Sequence, residues 1–265
     1  MTNTTSMSDD GTVRLVIEDG IAKITFDRPG SRNAMTWAMY ETLANACTEI
    51  AGRDDVRVVL LRGAGGKAFI AGTDIAQFLA FETGADGVDY EMRIAQYVSA
   101  VANLPMPTVA VVEGWAVGGG MAIASVCDFR LSTPGARFGV PIARTLGNCL
   151  SAGNLRVLLS TLGMPLVKRM LLLAEMIPAE ELTSGGYVHE IVEADALEQR
   201  VTDFCSQLAG HAPVTMAVTK EALSRIIESQ AVADSDLIER AYASRDFHEG
   251  VRSFVDKRPP QWVGR

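Results

Sequence analysis

Histidine and cysteine are scarce in this chain. Its 265 residues include three histidines (His189, His211, His248) and four cysteines (Cys47, Cys127, Cys149, Cys205), with no CxxC pair. A Cys/His metal site is therefore not expected, and reduced thiols in a cytoplasmic protein are. Net positive charge is also lacking, since the formal charge is −8. Unspecific nucleic-acid binding needs a basic surface that displaces counterions, so nucleic acid is not an expected partner. A small phosphorylated ligand stays open, because a few local Lys or Arg residues suffice. No apolar run reaches the ~18 residues that would suggest a membrane-crossing helix. The opening MTNTTSMSDDG carries no apolar core of the kind a secretory signal needs, and residues 1–10 read as a disordered tail.

Hydrophobic residues make up 48% of the chain, enough for one large core. Val13–Ile17 and Ile21–Phe26 read as strands around a Glu18-Asp19-Gly20 turn. Thr36 is placed to cap a helix from Trp37 to about Ala51. Val56–Leu61, interrupted only by Arg57, and Thr108–Val112 are rich in β-branched residues, the pattern of strands buried on both faces. Phe129–Ser132 reads as a short strand. Helices are expected over Tyr90–Leu104, from about Gly119, and then over Ser151–Leu162, Pro165–Ala174, Ala179–Ser184, Ala194–Ala209, Pro213–Ser229 and Val232–Arg245. Strand and helix alternate first and helices close the chain, which predicts an α/β core over 11–200 and a helical region over 201–265.

Two glycine-rich loops each follow a buried strand. The first is Lys67-Ala68-Phe69-Ile70-Ala71-Gly72-Thr73-Asp74-Ile75. The second is Glu113-Gly114-Trp115-Ala116-Val117-Gly118-Gly119-Gly120-Met121. A glycine run that opens a helix leaves N–H groups unpaired at the positive end of the helix dipole. Such a place suits an oxygen that gains negative charge during reaction. The second loop is neither a phosphate-binding P-loop nor a dinucleotide fingerprint, because no Lys-Ser/Thr follows and the glycine spacing is wrong.

These loops belong to a larger set of motifs. Asp27-Arg28-Pro29-Gly30-Ser31-Arg32-Asn33-Ala34-Met35 resembles the RP…RNAL/M segment of the enoyl-CoA hydratase/isomerase (crotonase) family. Residues 68–75 resemble its AFxAGxDI loop, and Pro107 through Gly120 resemble KPxIAxVxGxAxGGG. Residues 127–132 resemble CDxRxAS, 136–141 resemble AxFGxPE, and 249–258 resemble the EGxxAFxEKR ending. The order and spacing hold from about residue 13 to 258.

The resemblance implies a spiral of ββα units with a C-terminal trimerisation region, as a homotrimer or dimer of trimers. It implies an acyl-CoA thioester as substrate and no separate cofactor. Backbone N–H groups of Thr73 and Gly119 would form an oxyanion hole, with no demand on the Thr73 side chain. Arg32, Ala34, Ala71 and Lys257 would contact CoA. Asp74 and Asp128 would be structural.

The resemblance breaks where hydratases of the family carry two glutamates. The position in GGGxE is Ala122 and that in FGxPE is Ile142, separated by the family's usual interval. Neither can transfer a proton. Polar residues of the next segment, Arg144 and Asn148 above all, are the first substitutes to consider. Tyr90, Glu91, Tyr97 and Tyr242 are further ones, and Cys149 is a poor nucleophile without a neighbouring His. The expected function is an acyl-CoA lyase, isomerase or hydratase with non-standard acid/base groups. The alternatives are an acyl-CoA-binding protein with little catalysis, and a hydrolase of a non-CoA diketone.

Overall fold

A computed structural model describes residues 10–229 and 234–262. The expected 1–10 tail, Asp10 apart, and the first residues of the expected 232–245 helix lie outside these. The chain opens with the hairpin β1 (Thr12–Glu18) and β2 (Ile21–Asp27), then α1 (Trp37–Ala51), β3 (Val58–Gly63) and β4 (Ala68–Ile70). Next come α2 (Gly84–Ala102), β5 (Thr108–Val112), β6 (Trp115–Val117), α3 (Gly119–Val126), β7 (Phe129–Ser132), β8 (Arg137–Gly139) and α4 (Ile142–Thr145). α5 (Ala152–Leu171), β9 (Ile177–Pro178), α6 (Ala179–Thr183), β10 (Glu190–Ile191) and α7 (Leu197–Ala209) follow, and then α8 (Pro213–Glu228), α9 (Ser235–Tyr242) and α10 (Arg245–Val255).

The spiral is visible in the strand order. One sheet runs β1-β2-β3-β5-β7-β10 and the other β4-β6-β8-β9. Each of β3β4α2, β5β6α3 and β7β8α4 places its first strand in the larger sheet, its second in the smaller, and then a helix. The β2–β3, β3–β5 and β5–β7 pairs are parallel, as are β4–β6 and β6–β8. The long strands are buried on both faces. Val59, Leu61, Ala110 and Val112 join the core under α1, α2 and α3. Val58, Val109, Val111 and Leu131 face the other way, onto Phe204 and Leu208 of α7.

The smaller sheet was not among the expected strands. Its members are three residues or fewer, too short to show alternation, and β4 and β6 sit inside the two glycine-rich loops. Helix α2 begins earlier than expected because Thr83 and Asp86 close a capping box ahead of a polar first turn. The two helices expected over 151–162 and 165–174 are present as the two halves of α5, separated at Gly163, whose backbone (φ 74°, ψ 161°) is not helical. Helix α10 was not expected as a separate element, and Ser244 starts it by accepting the Phe247 N–H.

Asp128 ties two elements of this frame. It accepts from Thr108 N–H (2.7 Å), Thr108 Oγ1 (2.9 Å) and Lys220 Nζ (2.6 Å). Asp128→Ala would leave the Thr108 N–H and hydroxyl without their acceptor and Lys220 Nζ with Met106 O (2.8 Å) in place of an anionic partner. It should lower unfolding free energy by ~3 kcal/mol in urea titration, with acyl-CoA affinity unchanged.

Candidate active site

The first loop is held against the Arg32–Met35 segment. Ala71 N–H donates to Arg32 O (3.1 Å), Met35 N–H to Gly72 O (2.8 Å), and Asp74 N–H to Met35 O (2.9 Å). Met35 and Thr73 thus form a parallel bridge. In that geometry Met35 bonds to the residues on either side of Thr73, which turns the N–H of Thr73 itself away from Met35. Gly119 comes from the opposite loop as the first residue of α3, where the N–H has no intrahelical acceptor. Thr73 and Gly119 line the same cavity of about 140 Å³, close to the size that holds a benzene-sized group.

The Thr73 side chain is not indifferent, contrary to the expectation. Its Oγ1 lies between two buried tyrosine hydroxyls, Tyr40 at 2.9 Å and Tyr90 at 2.8 Å. The hydroxyl therefore fixes the loop to α1 and α2. Burial pushes the ionisation of both tyrosines upward, so they act as neutral hydrogen-bonding groups.

Ala71 lines the cavity, as do Ala122, Ile142 and Asn148. Arg32 is exposed in a left-handed conformation (φ 51°), and Ala34 is part-buried beside it. Lys257 is exposed just beyond α10, apart from the cavity lining. Arg144 does not reach the cavity. Along α4 the turn aims Ile142 and Thr145 inward, and Ala143 and Arg144 point to solvent. Cys149 is part-buried outside the cavity lining, and burial with Glu91 and Asp234 nearby raises its thiol to about 12.

The most informative residue is Glu91, a minor candidate from the sequence alone. It is 2% exposed and is the sole carboxylate among the described residues that line the cavity. Ser151 N–H donates to Oε2 (2.8 Å) and Tyr242 Oη–H to Oε1 (2.9 Å). Desolvation outweighs these donors and pushes its carboxyl up to about 7. Asn148 Nδ2 donates to Tyr242 Oη (3.2 Å), and Asn148 Oδ1 is buried with no partner. Tyr242 reaches this place because Gly87 leaves room on α2; a Cβ there would stand 2.1 Å from the ring. The signal for Glu91 was positional. Gly87, Tyr90, Glu91, Ile94, Val98 and Val101 share the buried face of α2, so Glu91 is a carboxylate at a core position of the helical period.

Among the described residues no cluster of three or more His, Cys, Asp or Glu side chains could hold a metal, and no helix is long and apolar enough to cross a membrane.

The sequence profile of the enoyl-CoA hydratase/isomerase family matches residues 16–265. The chain is 29% identical over 245 residues to the short-chain-enoyl-CoA hydratase of Clostridium acetobutylicum, covering 91% of this chain and 93% of that one. It is 29% identical over 249 residues to the 2,3-dehydroadipyl-CoA hydratase of Escherichia coli, with 91% and 94% covered. An enoyl-CoA hydratase/carnithine racemase structure from Magnetospirillum magneticum superposes with a TM-score of 0.78 at 30% identity, covering 96% of each chain. A methylmalonyl-CoA decarboxylase in complex with 2-nitronate-propionyl-CoA superposes with a TM-score of 0.87 at 25% identity, covering 96% of this chain and 98% of that one.

Proposed function

The chain belongs to the enoyl-CoA hydratase/isomerase family, and from that premise we propose that it binds a short, uncharged acyl-CoA thioester and passes it through an enolate, as a hydratase-like enzyme with non-standard acid/base groups. The observation that supports this reading is that Thr73 and Gly119, the two residues expected to supply backbone donors, line one small cavity whose wall includes Ala122 and Ile142. Preorganised N–H donors act most strongly on developing charge where water is excluded. The apolar replacements at 122 and 142 strengthen the hole and remove the family's usual proton carriers.

The size and charge of the cavity support the acyl class. No Lys, Arg or His is among the described residues that line it, so a carboxylated acyl tail would have no partner and would face Glu91. The hydrogen bond between Ala71 and Arg32 supports CoA running across that junction, with Ala34 beside it. Val214, Val218, Leu223 and Ile226 of α8 are more than half exposed, which supports packing of the C-terminal region against further copies of the chain.

The test is to mix the protein with trans-2-butenoyl-CoA and follow the absorbance of the conjugated thioester. The reading predicts its loss as water adds. Binding of the ester without loss would leave an acyl-CoA-binding protein with little catalysis.

A further inference from the structure

We propose that Glu91 is the catalytic acid/base of this site, and that Asn148 and Tyr242 are positioning residues that hold the reacting water and the carboxylate. The inference rests on the hydratase-like reading above. Ala122 and Ile142 leave the cavity wall without proton carriers where the family has them, and Glu91 enters the same cavity from a different element, α2.

Its hydrogen bonds suit the role. Ser151 N–H donates to one carboxylate oxygen and Tyr242 O–H to the other, which fixes the plane of the group, and the side chains of Ser151 and Asn154 are further hydrogen-bonding partners. A carboxylate oxygen keeps further lone-pair capacity after one such bond. Asn148 Nδ2 occupies an acceptor site of Tyr242, so the tyrosine hydrogen is committed to Glu91. The amide is thereby oriented with Oδ1 buried and unpartnered at the cavity wall. A buried acceptor of this kind costs free energy unless a ligand or water fills it. A water held by Asn148 Oδ1 and Glu91 satisfies both.

The step balances with one carboxylate. Glu91 takes a proton from the water as the water oxygen bonds Cβ of the enoyl thioester. The π electrons of the Cα–Cβ bond move onto the thioester oxygen, held by Thr73 and Gly119 N–H. The enolate then re-forms the carbonyl while the proton on Glu91 passes to Cα. One water is added, and nothing is oxidised or reduced.

The titratable groups facing Glu91 are Tyr90 on its own helix, Tyr242 from α9, Tyr40 from α1 and Cys149. Burial raises all four, so Glu91 is the one among them placed to change charge near neutral pH.

The experiment compares wild type, E91Q and Y242F on trans-2-butenoyl-CoA from pH 5 to 9. E91Q should lose at least ~100-fold in kcat with KM changed less than about threefold, the contribution a general acid/base makes. Wild-type kcat/KM should rise with pH through a midpoint near 7. Y242F, which removes a donor to the carboxylate, should move that midpoint upward. A purely structural role for the hydrogen bond would lower the rate without moving the midpoint. E91Q within threefold of wild type would overturn the proposal and leave the hydratase-like reading intact. If E91Q does not fold, an unmoved midpoint in Y242F overturns it instead. A wild-type protein that binds the ester but does not turn it over would remove the hydratase-like reading, and the proposal with it.

Discussion

Gly119→Ala is expected to lower kcat on trans-2-butenoyl-CoA by about 10²–10³-fold, the cost of losing one oxyanion donor. The added Cβ would stand 2.5 Å from Tyr40 Oη and 3.6 Å from Thr73 Oγ1. Tyr40 cannot step aside cheaply. It is fully buried, its hydroxyl is bonded to Thr73, and its ring stacks on Tyr97 at 5.3 Å between centroids. Either the start of α3 or the 71–74 loop must move, and each carries one of the two N–H donors. The same strain should cost ~1–3 kcal/mol of stability. Gly185→Ala is the control, because no heavy atom lies within 4 Å of a Cβ there. It should leave the rate unchanged. A G119A rate within threefold of wild type would mean that the donors are not where the carbonyl sits.

The stability of the protein is expected to carry the mark of Glu91. Its carboxyl is raised to about 7 in the fold from an ordinary 4.5. The folded state therefore holds its proton over a range in which the unfolded chain has released it. The contribution is full below about pH 4.5 and is lost as pH rises through 7, by ~3 kcal/mol in all. E91Q has no such slope. Between pH 5 and pH 8 it should gain roughly that amount relative to wild type in urea unfolding. Parallel stability profiles for the two proteins would show that the carboxylate is not desolvated as described. A group kept in place at a cost to the fold at neutral pH is the usual condition of a working site.

The parts of the fold legible in the sequence were those set by local chemistry. Thr36 and the apolar period after it gave α1 its start, and Thr108–Val112 and Phe129–Ser132 read as strands because buried strands concentrate apolar residues. The motif register placed Thr73 and Gly119 on facing loops, which the spiral brings to one cavity. What was hidden depends on long-range approach. Asn148 meets Tyr242 across 94 positions and Glu91 meets Tyr242 across 151, and no local pattern encodes either pair. Arg144 shows the reverse error. It lies close in sequence to the cavity wall, but one residue along a helical turn rotates a side chain by ~100°, enough to send it to solvent.

The central claim is that Thr73 and Gly119 N–H polarise the thioester carbonyl of a bound acyl-CoA. It is tested most directly by the absorbance of 2,4-hexadienoyl-CoA mixed with the protein and recorded before turnover. Hydrogen bonding to the carbonyl draws electron density along the conjugated chain. The account predicts a red shift on binding that G119A abolishes and G185A retains. A bound ligand whose spectrum matches that of the free ester in water would contradict it.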